Sequence, residues 1–206
     1  MLIADVSNVN GRVNFAALRK AGVKAVWLKA TEGLTFNDRD YHAFRKAANK
    51  AGLRVGAYHF AHPENHTAVA EAGHFAKVIG RPHRTDLRPV LDFETFADVK
   101  PEALDFWARR FNQVVKEDIG VVPVFYSYPD FIHNLRPNKP IGNGLWLASY
   151  SKNDGKDHPF EVPAPWKRVV AHQFTSNWHV AGHDGTIDLS YAPKLRGVLA
   201  HPLRGL

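Results

Sequence analysis

Asp92 and Glu94 stand one residue apart at the end of the apolar run Pro89-Val90-Leu91. In a strand successive side chains alternate faces, so the two carboxylates project the same way with Cα atoms roughly 6.6 Å apart. Like charges held that close drive their proton affinities apart, and a proton-holding acid beside an ionised one is what glycosidic bond cleavage requires. The spacing falls between the about 5–5.5 Å of retaining and the about 6.5–9.5 Å of inverting carboxylate pairs, so it leaves the stereochemical route open.

Other groups suited to such chemistry fall at the ends of apolar runs. Asp5 follows Leu2-Ile3-Ala4, and Asp188 sits between Ile187 and Leu189, where an acid is unusual for a strand. Either could instead cap a loop or pair with Lys29. Lys29 with Glu32 just beyond, Tyr58, Tyr126, Trp146, Tyr150 and Gln173 occupy comparable positions. Aromatic faces stack on the C–H faces of sugars, and tyrosine hydroxyls bond ring substituents. Trp27 and Trp107 fall inside a strand and a helix and read as core.

The histidines at 59, 62 and 66 and at 172, 179 and 183 have no helical frame like that of the i, i+4 pair in zinc hydrolases, His59 and His62 straddling a strand end and Pro63, so no metal or other cofactor is expected. With no cysteine, thiol nucleophiles, disulfides and Cys-based zinc sites are excluded. No Gly-rich phosphate loop or Gly-x-Ser-x-Gly elbow is present. The formal charge of +7 favours an anionic partner, but the basic residues are dispersed and no nucleic-acid-binding signature accompanies them, so no nucleic-acid partner is expected.

The elements that must position these groups follow from periodicity. Short apolar runs at 2–6, 25–29, 55–60, 90–94, 122–126, 145–149, 169–174 and 186–189 read as eight strands. Amphipathic stretches at 14–21, 38–51, 67–79, 101–119 and 129–135 read as helices between the first of them. From Pro137 onward the connections are rich in Pro, Gly, Asn and Asp, so the last three strands are expected to follow one another through loops. The α/β pattern predicts an irregular (β/α)5β3 barrel, TIM-barrel-like, around a parallel sheet, with the candidate groups at the C-terminal ends of its strands. A length of 206 residues suits a single domain, with 192–206 as a tail, and a monomer is expected. No apolar run is long enough to span a membrane.

The order Asp5-Val6, Asn10-Gly11, Gly22, Lys29-Ala30-Thr31-Glu32-Gly33, Phe36 and Asn37-Asp38 resembles the N-terminal signature of glycoside hydrolase family 25, the Chalaropsis-type lysozymes or N-acetylmuramidases. Gly56-Ala57-Tyr58-His59-Phe60, Leu91-Asp92-Phe93-Glu94, Leu145 to Tyr150, Gln173-Phe174 and Asp184 to Asp188 are similar to its later strand ends. Trp27 departs from the pattern, where an aliphatic, Phe or Tyr is usual, which bears on packing beneath the site. The resemblance implies a flattened (β/α)5β3 barrel and hydrolysis of the β-1,4 bond between N-acetylmuramic acid and N-acetylglucosamine in peptidoglycan. It implies Glu94 as general acid, Asp92 as its partner, and Asp5 and Asp188 as flanking acids. A chitinase-like glycosidase and a wall-binding module without catalysis are the rival expectations. Met1 lies just before the first strand with no secretory signal ahead of it, so the chain resembles a phage endolysin catalytic domain, made in a cytoplasm and reaching the wall through a separate pore.

Overall fold

The computed structural model describes residues 1–95 and 98–201. Among the described residues the strands are β1 (Leu2–Val6), β2 (Ala25–Glu32), β3 (Phe36–Asn37), β4 (Arg54–Phe60), β5 (Val90–Asp92), β6 (Val124–Ser127), β7 (Leu145–Ala148), β8 (Val169–Trp178) and β9 (Ile187–Tyr191). The helices are α1 (Phe15–Lys20), α2 (Tyr41–Lys50), α3 (Ala68–Ile79), α4 (Pro101–Ile119), α5 (Pro129–Leu135) and the short α6 (Leu195–Val198). The strand order β1-β9-β8-β7-β6-β5-β4-β2 closes through pairing of β1 with β2, giving an eight-stranded barrel, while β3 folds back on β2 as a hairpin.

Five helices cover the first two thirds of the barrel, and the long segment 149–168 between β7 and β8 carries none. Local chemistry sets the helix limits. Asn14 and Thr67 accept the backbone N–H groups of Ala17 and Ala70 at the starts of α1 and α3. Pro101 occupies the first turn of α4, where its missing N–H costs nothing, and Gly120 ends that helix in the left-handed conformation.

The sheet is not wholly parallel. β9 runs antiparallel to both neighbours, β8 and β1. Asp188 therefore lies near the start of its strand rather than at its end, and the reversed direction is what brings it to the same rim as the C-terminal ends of the parallel strands. Residues 192–201 form the described part of the expected tail. They pack on the barrel base: Ala192 bonds Met1, Leu199 bridges Leu87, and Val198 and Leu199 are buried. Residues 202–206 lie outside the described residues.

Two apolar layers result from strand alternation. Outward-facing side chains such as Leu28, Leu91, Phe93 and Phe125 meet Phe75, Trp107, Phe111 and Phe131 of the helices. Inward-facing side chains, including Ile3, Ala25, Trp27, Val90, Val124, Trp146 and Ala171, fill the barrel. Its widest layer is the stack of Trp27 on Trp146, with ring centroids 4.3 Å apart. Trp27 donates from Nε1 to the Arg88 carbonyl at 3.0 Å, and Gly56 beside it on β4 leaves the space its indole fills. The substituted position in the sequence signature is thus a packing position beneath the site.

Candidate active site

Above the tryptophan layer the same inward alternation switches from apolar to polar. Asp5, Lys29, Tyr58, Phe60, Asp92, Glu94, Tyr126, Trp146 and Asp188 line one pocket of about 230 Å3 at the mouth of the barrel. The register explains the gathering: Asp5 stands opposite Asp188, Lys29 opposite Tyr58, Phe60 opposite Asp92, and Asp92 opposite Tyr126. β5 ends at Asp92, two residues short of the predicted limit, but alternation continues through the next two residues. Phe93 is buried against Trp107 and Phe131, while its backbone N–H still pairs with the Tyr126 carbonyl at 3.0 Å. Glu94 is thereby turned inward beside Asp92.

Four carboxylates in one partly closed pocket hold protons unusually well. Burial first, then the charges of Asp188 and Glu94, push Asp5 well above the ordinary carboxylate range, against the hydrogen bond from Gln173. Burial and Glu94 do the same to Asp92, and burial raises Asp188 to about 6. Glu94 is raised by burial and by Asp188, with Lys29 pulling the other way. One oxygen of Asp92, Oδ1, is buried without a hydrogen-bond partner among the described residues. An unpartnered buried carboxylate oxygen facing a pocket is available to a ligand N–H.

Gln173 organises the acids from below. Its Nε2 donates to Asp5 Oδ1 and Oδ2, both at 3.0 Å, and to Asp188 Oδ2 at 3.4 Å. Its Oε1 accepts the hydroxyls of Tyr126 at 2.8 Å and Tyr150 at 2.5 Å. Only 1% exposed, it lies beneath the pocket rather than in its wall, behind the acids that it holds. Tyr150 likewise stands outside the pocket wall and reaches the site through Gln173. Burial and the nearby acids raise the phenols of Tyr58, Tyr126 and Tyr150, so all three remain protonated donors at neutral pH.

Glu32 is the other expected contact that the pocket does not include. It is ion-paired with Lys29, and its Oε1 bonds His62 Nε2 at 2.9 Å. Although burial acts against it, these two partners hold its carboxyl below the usual range. Lys29 itself lies in the pocket, with its ammonium 5.1 Å from the Phe60 ring and 5.4 Å from that of Phe36. Phe60 is the pocket residue that the sequence pattern did not single out, although it lies two residues past Tyr58 on the same strand face.

His59 faces the helices and is wholly buried with Glu71, at 2.8 Å, and it also bonds the Thr31 hydroxyl at 2.7 Å. His66 bonds the other Glu71 oxygen at 2.9 Å. These histidines brace α3 against β4. Among the described residues no group of three or more His, Cys, Asp or Glu side chains is placed to hold a metal ion.

Comparison with known proteins agrees with this arrangement. The family model described as glycosyl hydrolases family 25 matches residues 4–183. The autolytic lysozyme of Clostridium acetobutylicum is 29% identical over 188 residues, covering 90% of this chain and 53% of that protein. The N,O-diacetylmuramidase of Chalaropsis sp is 28% identical over 198 residues, covering 89% of this chain and 92% of its own length. The chain thus spans about half the length of the Clostridium relative and nearly all of the Chalaropsis one. Among solved structures, the lysozyme of Streptomyces coelicolor superposes with a TM-score of 0.84 at 25% identity, covering 94% of this chain and 92% of that one. With the family model running from the first strand to the loop before the last, and with its acids gathered at one barrel mouth, this chain belongs to the glycosyl hydrolases of family 25.

Proposed function

We propose that the chain is a muramidase, hydrolysing the β-1,4 bond between N-acetylmuramic acid and N-acetylglucosamine in bacterial peptidoglycan. The observation that carries this reading is the convergence of Asp5, Asp92, Glu94 and Asp188 on one pocket with raised proton affinities and a single ammonium among them. The names lysozyme and N,O-diacetylmuramidase borne by relatives support the substrate class.

In this reading Glu94 gives its proton to the departing glycosidic oxygen, since burial and Asp188 keep it protonated beyond the ordinary range. The carbonyl oxygen of the 2-acetamido group attacks the anomeric carbon as the C–O bond breaks, and Asp92 accepts the acetamido N–H through its free oxygen. Water then opens the cyclic intermediate, losing its proton to the Glu94 carboxylate, and the anomeric configuration is retained. Asp188, ionised at neutral pH with its pKa of about 6, holds negative charge beside the developing oxocarbenium centre, while Asp5 next to it keeps its proton more tightly. Phe60, Tyr58, Tyr126 and Trp146 furnish the walls against which sugar rings pack.

The whole described chain acts as one catalytic domain and a monomer, without metal, cofactor or nucleic acid. No helix among the described residues is long and apolar enough to cross a membrane. Synthesis in a cytoplasm and release to the wall through a separate pore complete the proposal, as for a phage endolysin. The test is clearing of a purified peptidoglycan suspension, with identification of the sugar at the new reducing ends. Muramic acid ends are expected; N-acetylglucosamine ends, or activity on chitin alone, point instead to a chitinase-like enzyme. Glu94→Gln is expected to bind walls and leave them uncut, while wall binding without cutting by the native chain marks a pure binding module.

A further inference from the structure

The opposite mouth of the barrel carries a second concavity, of about 890 Å3, where β7 and β8 begin and where Arg88 precedes β5. Arg88, Lys167, Arg168, Lys194 and Arg196 line it, and no Asp or Glu is among its lining residues. The last four are exposed, and none makes an ion pair among the described residues. Arg88 is half-buried with neutral partners: it donates to the Val122 carbonyl at 3.3 Å and, with the Asn143 amide oriented to satisfy its neighbours, to the Asn143 side-chain oxygen at 2.9 and 3.0 Å. Five uncompensated cations in one groove, against +7 for the entire chain, concentrate most of the protein's net field at the face away from its acids. A concave surface lined by cations with no carboxylate attracts an anion that can bridge them.

We propose that this groove binds an extended polyanion with phosphodiester links, of the class attached to bacterial walls, while the carboxylate pocket at the other mouth works on the glycan. The choice of a wall-borne polymer rests on the muramidase reading; the preference for phosphodiesters rests on the groove. Arginine forks match phosphate oxygens in pairs, and the apolar floor of Trp166, Val169 and Val170 suits the carbon spacers between phosphates. Trp166 is only 6% exposed, so the groove offers no open ring for stacking nucleic-acid bases. None of the exposed large apolar side chains lines it, so it has nothing to insert into a lipid surface. A ligand at this mouth leaves the glycan pocket clear. Holding the enzyme on the wall there raises the effective concentration of cleavable strands without a new contact at the site.

The test compares the native chain with the combined variant Lys167→Gln, Arg168→Gln, Lys194→Gln and Arg196→Gln, after thermal denaturation shows that both fold equally. The probe is a soluble, fluorescent glycerol-phosphate oligomer. With about four phosphates neutralised, each contributing a salt slope of about 0.7, native affinity is expected to fall about fiftyfold between about 50 and 200 mM salt. The variant is expected to lose binding at the higher salt. It should clear polymer-bearing walls about tenfold more slowly, yet clear walls stripped of phosphate polymer as fast as the native chain.

Equal oligomer binding by both proteins overturns the proposal. So does an equal drop on stripped walls, or oligomer binding weaker than binding to single-stranded nucleic acid or anionic lipid vesicles. If the native chain leaves stripped walls uncut, the muramidase reading fails by itself. The oligomer titration, which needs no turnover, still decides the groove.

Discussion

Asp5 and Asp188 are direct partners in the antiparallel pairing of β1 with β9, and the amide nitrogen of Gln173 bonds both. Two acids facing each other across adjacent strands would ordinarily be a fault in a sheet. Here the repulsion is reduced by a neutral donor from below and by the proton that Asp5 retains, since burial and Asp188 raise its carboxyl well above the ordinary range. The turn after β1 is tied to the same corner, with Asn10 Nδ2 donating to the Thr186 carbonyl at 3.4 Å just before β9. The acid pair thus depends on the one strand that runs against the others.

Replacing Gln173 by Met keeps the volume and removes both its donor and its acceptor. Asp5 loses the hydrogen bond that opposes its raised proton affinity, so its carboxyl should titrate at still higher pH. The hydroxyls of Tyr126 and Tyr150 lose their shared acceptor. Leaving the part-buried Tyr126 hydroxyl unmatched costs about 1 kcal/mol, and the more exposed Tyr150 less, which lowers Tm by about 2–4 °C per kcal/mol in a chain of this size. An NMR titration of the Asp5 carboxyl carbon together with thermal denaturation checks both effects; an unmoved midpoint removes Gln173 from this role.

Asp188 makes stability depend on pH in a defined sense. Its folded-state pKa is about 6 against a reference of 3.8, so the folded chain binds this proton more tightly than the unfolded one. Stability from this group is therefore greatest below about 4 and is lost as pH rises through about 6, a change on the order of 3 kcal/mol. Asp188→Asn, neutral throughout, should be more stable than the native chain at pH 7 and indistinguishable from it near pH 3.5. Turnover should fall, because the removed charge faces the reacting sugar in the proposed mechanism. Thermal denaturation at the two pH values decides it.

The parts of the fold legible in the sequence are those governed by period. Strand runs buried on both faces read as continuous apolar segments, and the two-residue alternation at their ends placed Asp92 with Glu94 on one side. The direction of β9 was not legible, because a strand's side-chain pattern is the same read either way. Nor was the role of Gln173: a polar residue at a strand end looks alike whether it faces a ligand or supports the acids from beneath. The pairing of His59 with Glu71 left only a faint signal, a carboxylate on the apolar face of α3, because its partner is 12 residues distant on the outward face of another element.

Gly56 is required for space rather than for backbone freedom. A Cβ there would stand 2.4 Å from Trp27 Cδ1, 2.6 Å from its Nε1 and 2.8 Å from Leu87 Cβ. Gly56→Ala should cost about 1–3 kcal/mol through overpacking. It should also lower turnover, because Trp27 stacks under Trp146 and Trp146 lines the pocket. Adding Trp27→Phe frees the room the methyl group needs and should restore part of the lost stability. Denaturant unfolding of the single and double variants measures the coupling, and simple additivity contradicts the account.

His62 extends the pocket's electrostatics outward. Its Nε2 faces Glu32 at 2.9 Å and its Nδ1 faces Glu64 at 2.8 Å, so both nitrogens meet acceptors and both must carry protons. Burial opposes this charge, yet the two carboxylates prevail and the imidazole pKa is raised. The linkage sign follows: stabilisation by this imidazolium is complete below about 6.5 and is lost as pH rises through the higher folded-state value. Past that point one carboxylate loses its donor, and Glu32 holds Lys29 less firmly. Lys29 is the group that opposes the raised proton affinity of both Asp92 and Glu94. His62→Gln should therefore flatten the fall of stability above pH 6.5 and alter the alkaline limb of the activity profile, while Glu64→Gln should move the His62 ring titration down. A His62 ring that titrates at or below the ordinary imidazole value breaks this chain at its first link.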